Sequence, residues 1–256
     1  MTRVSNLRCV TRWLEACAAM EIVPLGDSAL LLRLESDFEK DPARTLESIL
    51  DATQRLKSAQ IPGVIEFVPA YTTIAVFFDL VRMIDAGAPI DDVVGWLTTK
   101  IETVLGGVSK KKRSQAISRL VEIPVCYDSE FGFDLEEVAR RANISSAEVI
   151  QLHTAAEYRV HCVGFTLGFG FLGGLDAKLA TPRRATPRTE VPAGSVAIGG
   201  KQTGVYPIRS PGGWNVIGRT PLRMFDVERE PPTLLHAGDR VRFRSINRSE
   251  FDSLGK

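Results

Sequence analysis

A loop of three arginines between prolines is the part of this sequence best equipped for chemistry. The run TPRRATPRTEVPAGSV, which begins at residue 181, carries Arg183, Arg184 and Arg188. A guanidinium group is a planar fork that matches carboxylate and phosphate oxygens. Because proline fixes φ, the loop is expected to hold these groups ready for an anion. The alternative is structural: the arginines satisfy loop carbonyls or pair with a buried acid such as Asp176 or Asp239.

Further polar groups follow the arginines and are candidates for contacts with the same ligand. A serine-proline-glycine-glycine turn is suited to presenting backbone N–H groups to an oxyanion. The expected substrate-binding residues in this stretch are Gln202, Thr203, Tyr206, Ser210, Gly212 and Gly213. Each has a structural alternative, as a turn cap, a barrel corner or a tight turn.

His153 is the histidine best placed for proton transfer, because it ends a predicted helix and precedes the loops. A capping or core role is the alternative. His161 and His236 are weaker candidates, and three scattered histidines do not indicate a zinc site. Neither Ser195 nor Ser210 sits in a GxSxG elbow, so the sequence does not predict an independent serine hydrolase.

The composition is that of an ordinary globular protein and excludes several function classes. The 256 residues carry a net charge of +1, which gives no global signal for nucleic acid or an anionic membrane. We found no apolar run of the ~20 residues that a membrane helix needs. The four cysteines show no metal-ligand spacing, which favours reduced thiols and a cytoplasmic location.

The first half of the chain shows alternating strand and helix patterns. An acid followed by proline opens the first helix at Asp41, and the pattern that follows repeats at helical spacing. The predicted strands are 28–34, 64–68, 72–78 and 119–126, with a second helix over 90–105. The resulting β-α-β-β-α-β order predicts a ferredoxin-like α+β domain.

The second half has a different composition. Between residues 164 and 221 lie twelve of the 21 glycines and six of the 14 prolines, with seven basic residues against two acids. Long ordered loops over a small all-β barrel or closed sandwich are expected. The predicted strands are 195–198, 203–208, 214–217 and 240–246.

Two apparent motifs are better explained without a ligand. The run GGVSK at 106–110 lacks the spacing of a phosphate loop and follows a helix, so we interpret it as the start of a basic linker. The helix-turn-helix pattern within 134–155 has no basic residue on its second helix, which favours a packing hairpin over DNA binding. The predicted organisation is an extension of uncertain status at 1–20 and domains at 21–112 and 113–256.

Several runs of sequence resemble the KipI family, whose members are also called allophanate hydrolase subunit 1 or the PxpB-type subunit of 5-oxoprolinase. They are GDSALLLRL at 26–34, GFTLGFGFLGGLD at 164–176, TPRRATPRTEVPAGSVAIGG at 181–200, QTGVYPIRSPGGWNVIGRTP at 202–221 and HAGDRVRF at 236–243. The resemblance extends over about residues 20–250 and implies a ferredoxin-like domain followed by a cyclophilin-like β-barrel. Leu167 and Gly170 stand where the family usually has prolines.

The resemblance also implies a shared activity. Members pair with a KipA/PxpC-type subunit and, with a third, PxpA-type subunit, open 5-oxoproline to glutamate at the expense of ATP with Mg²⁺. This chain is then expected to be inactive alone. Arg184, Arg188 and His153 are the expected catalytic residues and Arg183 a substrate-binding residue, while the subunit that binds ATP is left open.

Two alternatives remain open within the same family. One is a carboxyl-transferase half-site of a urea carboxylase pathway, which would use biotin from another chain. The other is a non-catalytic inhibitor of a sensor histidine kinase. The residues alone do not choose among the three.

Overall fold

The computed structural model of the chain describes residues 20–34, 37–107 and 118–255. Nearly all of the predicted N-terminal extension and the basic linker lie outside these ranges. The chain separates into two compact units, 1–112 and 113–256, each with a hydrophobic core of its own.

The first unit is a four-stranded antiparallel sheet with helices packed on one face. Its elements are β1 (Glu21–Pro24), β2 (Ala29–Arg33), α1 (Pro42–Ala59), β3 (Val64–Ala70), β4 (Thr73–Phe78), α2 (Leu80–Asp85) and α3 (Val93–Gly106). The strand order is β1-β2-β4-β3. Helices α1 and α3 each begin after an aspartate that caps the helix. The Asp41 side chain accepts a hydrogen bond from the Arg44 N–H at 3.0 Å, and Asp92 caps α3 in the same way.

The second unit is built on a closed barrel of seven strands. Its strands are β5 (Leu120–Cys126), β6 (Glu157–Val163), β7 (Gly170–Gly173), β8 (Arg188–Val191), β9 (Ser195–Gly199), β10 (Gln202–Val205), β11 (Ser210–Gly212), β12 (Asn215–Arg219) and β13 (Arg240–Ile246). The barrel order is β10-β7-β6-β13-β5-β12-β9, and β8 pairs with β11 in a separate two-stranded ribbon. The last strand of the barrel in the chain, β13, pairs in parallel with the first, β5.

Three α-helices accompany the barrel within residues 118–255. They are α4 (Leu135–Ala142), α5 (Ser146–Ala155) and α6 (Arg248–Leu254). The first two form the predicted hairpin, in which α4 packs against β12 and α5 against β13. Within the three described ranges, no helix combines the length and the apolar character needed to cross a bilayer.

The predicted fold class, a ferredoxin-like α+β domain followed by an all-β cyclophilin-like barrel, is wrong. The strand expected at 119–126 to complete a ferredoxin-like sheet is β5, which belongs to the barrel. The sheet of the first unit is completed instead by β1, which precedes the predicted first strand and pairs with β2. The barrel unit carries α6 in addition to the predicted hairpin, so it is not all-β. An apolar alternation identifies a strand but does not identify the sheet that the strand joins.

Candidate functional site

The arginine loop is held to the barrel through its backbone. It leads from a short 3₁₀ turn at 177–179 into β8, so that Arg188 is the first residue of that strand. The Arg184 N–H donates to the Gly213 carbonyl at 2.7 Å, and Gly212 lies opposite Arg188 in the β8–β11 ribbon. These pairings fix the direction in which the arginine side chains leave the loop.

A buried carboxylate binds two of the three arginines. Asp134 accepts from Arg184 Nη1 at 2.7 Å and from Arg188 Nη1 and Nη2 at 2.8 and 2.9 Å. It also accepts from the Val216 N–H at 2.7 Å, and its own N–H donates to the Val216 carbonyl at 2.8 Å. Asp134 is 4% exposed, so these charge-assisted bonds are made away from bulk water. The acid that pairs with the arginines is therefore Asp134, and neither Asp176 nor Asp239.

The cluster keeps an excess of positive charge. One carboxylate, on Asp134, faces the guanidinium groups of Arg184 and Arg188. Within the described ranges no carboxylate pairs with Arg183, and the buried Nε of Arg184 has no hydrogen-bond partner. An unpartnered buried N–H costs free energy, so this group is a part of the cluster that is incompletely satisfied.

An aromatic cavity of about 200 Å³ opens beside Arg184. It is lined by Phe165, Phe169, Phe171, Arg183, Arg184, Pro187, Tyr206, Gly212, Gly213 and Trp214. The Arg183 guanidinium lies 5.9 Å from the centre of the Trp214 ring, and the Phe169 ring stands edge-on to Trp214. Apolar walls with two cations and, among the described lining residues, no acid suit a small ligand that is planar and anionic.

Tyr206 provides a neutral hydroxyl at this cavity. Burial raises its pKa, and a backbone hydrogen bond from Trp214 and the charges of Arg183 and Arg188 oppose that shift in part. The hydroxyl lies so close to Gly212 that a Cβ there would stand 2.3 Å from the oxygen. Glycine at this position therefore allows β11 to approach the Tyr206 ring.

His153 lies in a different polar cluster, inside the barrel unit. It is 0% exposed, and its Nε2 is 3.0 Å from Thr203 Oγ1. Thr203 donates to the Ala197 carbonyl at 3.1 Å, so it accepts from Nε2, and His153 Nδ1 accepts from the Tyr127 hydroxyl at 2.8 Å. Burial lowers the pKa of His153 to about 3, which keeps the ring neutral at physiological pH. The ring also stacks on Phe243 at 4.4 Å.

The structure thus gathers only some of the predicted site residues. Those that line the cavity are Arg183, Arg184, Tyr206, Gly212 and Gly213, with Arg188 joined to them through Asp134. Thr203 and His153 form the separate buried pair. Gln202 is the first residue of β10 and is not among the described residues that line the cavity. Ser210 begins β11, and its buried Oγ has no hydrogen-bond partner among the described residues.

Sequence reasoning missed two residues that shape the site. Asp134 precedes α4 and has the signature of an N-cap, yet in the described structure its side chain makes no capping hydrogen bond because the arginines and Val216 use it. Asn215 donates from Nδ2 to the Pro182 carbonyl at 2.9 Å and to the Ile198 carbonyl at 3.1 Å, which holds the start of the arginine loop to the barrel. Both Asn215 contacts join residues at least 17 positions apart in the chain. A pattern of neighbouring residues therefore does not identify these contacts.

A larger cavity, of about 280 Å³, lies elsewhere on the barrel unit and carries none of the predicted residues. It opens between the strand end at Arg219 and Phe251 of α6. We place the site at the smaller cavity because the unbalanced charge and the unpartnered Arg184 Nε are there. In the part of the chain that the structure describes, no group of three or more metal-ligating side chains is found.

Comparisons with known proteins identify relatives over most of the chain. A family model described as "Carboxyltransferase domain, subdomain C and D" matches residues 20–235. A relative from Bacillus subtilis, named as the B-type subunit of 5-oxoprolinase, is 41% identical over 236 residues, which are 90% of this chain and 95% of the relative.

Two further matches are to longer proteins. A crystal structure of a protein designated TTHA0988 superposes with a TM-score of 0.70 at 36% identity, covering 86% of this chain and 40% of that one. A protein named "Putative urea carboxylase" from Emericella nidulans is 26% identical over 188 residues, 64% of this chain and 15% of its own length.

Proposed function

The chain belongs to the family of carboxyltransferase domains, subdomains C and D, and we propose that it is the PxpB-type component of a 5-oxoprolinase complex. The Bacillus subtilis relative that is named for this role matches along 95% of its own length and 90% of this chain. The observation in the structure that carries the proposal is the cavity in which Arg183 and Arg184 meet an aromatic wall.

5-Oxoproline suits such a cavity because it is a small ring that bears one carboxylate. Its carboxylate would pair with the Arg183 fork and with the Nε of Arg184, which has no partner among the described residues. The flat lactam ring would lie against the aromatic rings, where apolar surface is removed from water. One charge-assisted hydrogen bond is worth about 1.5–3 kcal/mol, so two would orient the substrate.

Arg188 and Asp134 have a different part in this proposal. Arg188 makes a two-pronged contact with Asp134, and Asp134 in turn holds Nη1 of Arg184. Arg188 is thereby a positioning residue, which keeps the carboxylate where it fixes Arg184. Such fixed groups contribute to catalysis because they need no reorganisation when charge develops on the substrate.

The cavity does not fit ATP. Its volume of about 200 Å³ is below the ~300–1,000 Å³ typical of ligand pockets, and a nucleotide is larger than a drug fragment. ATP supplies the driving force for opening a resonance-stabilised amide. We place the nucleotide and its Mg²⁺ on another subunit of the complex.

The proposed partners are a KipA/PxpC-type subunit and a third, PxpA-type subunit. The arginine cavity offers anion binding, but no histidine or cysteine is among the described residues that line it. We assign the groups that activate the attacking water and protonate the lactam to a partner subunit. This chain alone is therefore expected to be inactive.

Reconstitution tests the proposal. We would measure 5-oxoproline-dependent ATP hydrolysis and glutamate release by this chain, alone and mixed with the two partner subunits. The proposal expects turnover in the mixture and none from the chain alone. A mixture that assembles and leaves 5-oxoproline unchanged would contradict it.

A carboxyl-transferase half-site is the second candidate, because the family description and the Emericella nidulans relative both point to carboxyl transfer. In that case the substrate would be urea and the donor a carboxylated biotin carried by another chain. The same mixture, offered urea and carboxybiotin, distinguishes the two candidates by which substrate disappears.

A further inference from the structure

The larger cavity of the barrel unit, which carries none of the predicted residues, combines positive charge with apolar walls. Its volume is about 280 Å³, and we call it the Arg219 cavity. Two of the described residues that line it, Arg219 and Arg223, are cations, and none of them is an acid. A cavity that places a cation among apolar side chains is suited to binding a small anion.

Backbone hydrogen bonds fix one wall of the Arg219 cavity. The Gly194 N–H donates to the Tyr206 carbonyl at 2.7 Å, and the Thr220 N–H donates to the Gly194 carbonyl at 2.9 Å. Gly194 has a φ of 81°, and a Cβ there would stand 2.4 Å from the Thr220 carbonyl oxygen. Glycine therefore allows the two segments to approach so closely. A wall that is already fixed costs little ordering entropy when a ligand binds.

Arg219 is held at this wall with part of its guanidinium group unused. Its Nε donates to the Ala193 carbonyl at 2.9 Å, and the guanidinium lies 5.8 Å from the centre of the Phe131 ring. Its Nη atoms have no hydrogen-bond partner, and the group has no carboxylate partner, among the described residues. The Arg223 side chain is 83% exposed and pairs with Asp226 at 3.8 Å. The cavity thus presents positive charge that its own lining does not neutralise.

The opposite side of the Arg219 cavity is apolar. Leu222, Phe225 and Phe251 line it, and each is partly buried. The Phe251 ring packs on Phe131, with 4.6 Å between the ring centres, which holds it in place. An apolar group bound here is removed from water while an attached carboxylate reaches Arg219. A free amino acid fits less well, because no acid among the described lining residues would pair with its ammonium group.

We propose that the Arg219 cavity binds a small carboxylate that carries an apolar group and no ammonium group. The carboxylate pairs with the guanidinium of Arg219, and the apolar group packs against Phe251. Arg223 adds positive charge at the exposed side. The cavity shares no lining residue with the one beside Arg184, so it is a separate site. The proposal therefore does not rest on the proposed function.

Titration of the isotope-labelled chain with benzoate, followed by NMR, tests the proposal without any partner subunit. Benzoate is a small apolar ring with one carboxylate and no ammonium group. We expect the amide signals of Gly194, Thr220 and Gly255, which line the Arg219 cavity, to shift and saturate. Benzamide has nearly the same shape without the charge, and we expect it to bind there at least tenfold more weakly. The signals of Gly212 and Gly213 report separately on the smaller cavity.

Two variants of the Arg219 cavity and one matched control identify the groups responsible. Arg219→Gln is expected to weaken benzoate binding at least tenfold at the Gly194 signal and to leave the Gly213 signal as in the wild type. Arg184→Gln is the control, because it removes a cation from the other cavity, and its Gly194 titration should equal that of the wild type. Leu222→Glu retains Arg219 and places a carboxylate in the cavity, so it should also weaken binding at least tenfold.

The wild-type titration alone can overturn the proposal. Absence of saturable shifts at Gly194, Thr220 and Gly255 would do so, as would equal affinity for benzoate and benzamide. Unchanged affinity of Arg219→Gln, with an unfolding curve like the wild type, would show that the guanidinium does not bind the anion. Each result is obtained with the chain alone, so it is independent of whether the reconstituted complex turns over 5-oxoproline.

Discussion

The barrel unit contains two polar clusters that differ in how completely their groups are paired. Around His153, both ring nitrogens have partners, the hydroxyl of Tyr127 and that of Thr203, and the ring is neutral and 0% exposed. Around Asp134, the positive charges outnumber the negative, and Arg184 Nε has no partner in the described structure. The first cluster is complete without a ligand and the second is not.

This difference separates a structural role from a binding role. Buried polar groups that are fully satisfied add rigidity and specify a unique core. A partly exposed cluster that retains an unpaired donor beside an aromatic cavity can gain a ligand without losing any internal bond. By this criterion we propose that Arg184 belongs to the site and His153 to the framework, whereas the sequence predicted catalytic roles for both.

The largest expected effect comes from removing the acid that organises the second cluster. Asp134→Ala would leave Arg184, Arg188 and the Val216 N–H without their shared acceptor. Loss of one partner of a buried ion pair costs about 3–5 kcal/mol, and the partial exposure of the arginines puts the expected loss at ~3 kcal/mol. Urea unfolding of the purified chain measures the change.

Asp134→Asn sharpens that test, because it keeps the shape and removes the charge. We expect it to fold, with a smaller loss of stability than the alanine variant, and to lower turnover of the complex because Arg184 is no longer fixed. If the alanine variant is as stable as the wild type, Asp134 does not organise the cluster.

Two adjacent glycines offer a steric test of intermediate size. In Gly212→Ala the new Cβ would stand 2.3 Å from the Tyr206 hydroxyl, so β11 or the Tyr206 ring must move. Overpacking of this kind costs about 1–3 kcal/mol. Gly213→Ala is the control, because its Cβ would find Pro187 at an ordinary 3.6 Å. Thermal unfolding should separate the two variants, and equal melting temperatures would show that Tyr206 adapts without cost.

A pH dependence that originates in the first cluster gives a further test. The pKa of His153 is about 3 in the folded chain, below the ordinary value of 6.5. Between these values the unfolded chain binds a proton that the folded chain does not, so stability falls as pH falls below 6.5. The slope is about 1.4 kcal/mol per pH unit, with no contribution above that range.

The variant His153→Gln isolates the contribution of His153 to the pH dependence of stability, because the wild type and the variant share the other titrating groups. The advantage of the wild type over the variant, from urea unfolding at several pH values, should shrink as the solution is acidified. If the two curves stay parallel between pH 7 and pH 5 — a range that begins above the ordinary histidine pKa — the His153 ring is not buried in its neutral form.

Local patterns in the sequence predicted the elements and the chemistry of the loop, but not the long-range partners. The cap at Asp41, the hairpin within 134–155 and the strand at Arg240–Ile246 follow from residues near one another in the chain, and the structure confirms them. The strand at 119–126 was also predicted, but it joins the barrel. Membership of a sheet depends on pairing across the fold, and strand periodicity contains no information about it.

The candidate site shows the same limit. The arginines stood out by their type and their prolines, and the cavity contains two of them. Asp134 is 50 residues from Arg184 in the chain, and no local pattern links the two. His153 was predicted to transfer protons because it precedes the loops. Its burial in the barrel unit depends on tertiary packing, which a single histidine in a helical pattern does not reveal.

The central claim is that Arg184 binds the anionic group of the substrate, and the catalytic efficiency of the reconstituted complex tests it most directly. We would compare kcat/KM for 5-oxoproline with the wild-type chain, Arg184→Ala and the control Arg209→Ala, whose side chain is 72% exposed and pairs with Glu190. The account predicts a loss of about 10²–10³-fold for Arg184→Ala, with assembly intact, and wild-type efficiency for the control. Equal efficiency of all three would contradict it.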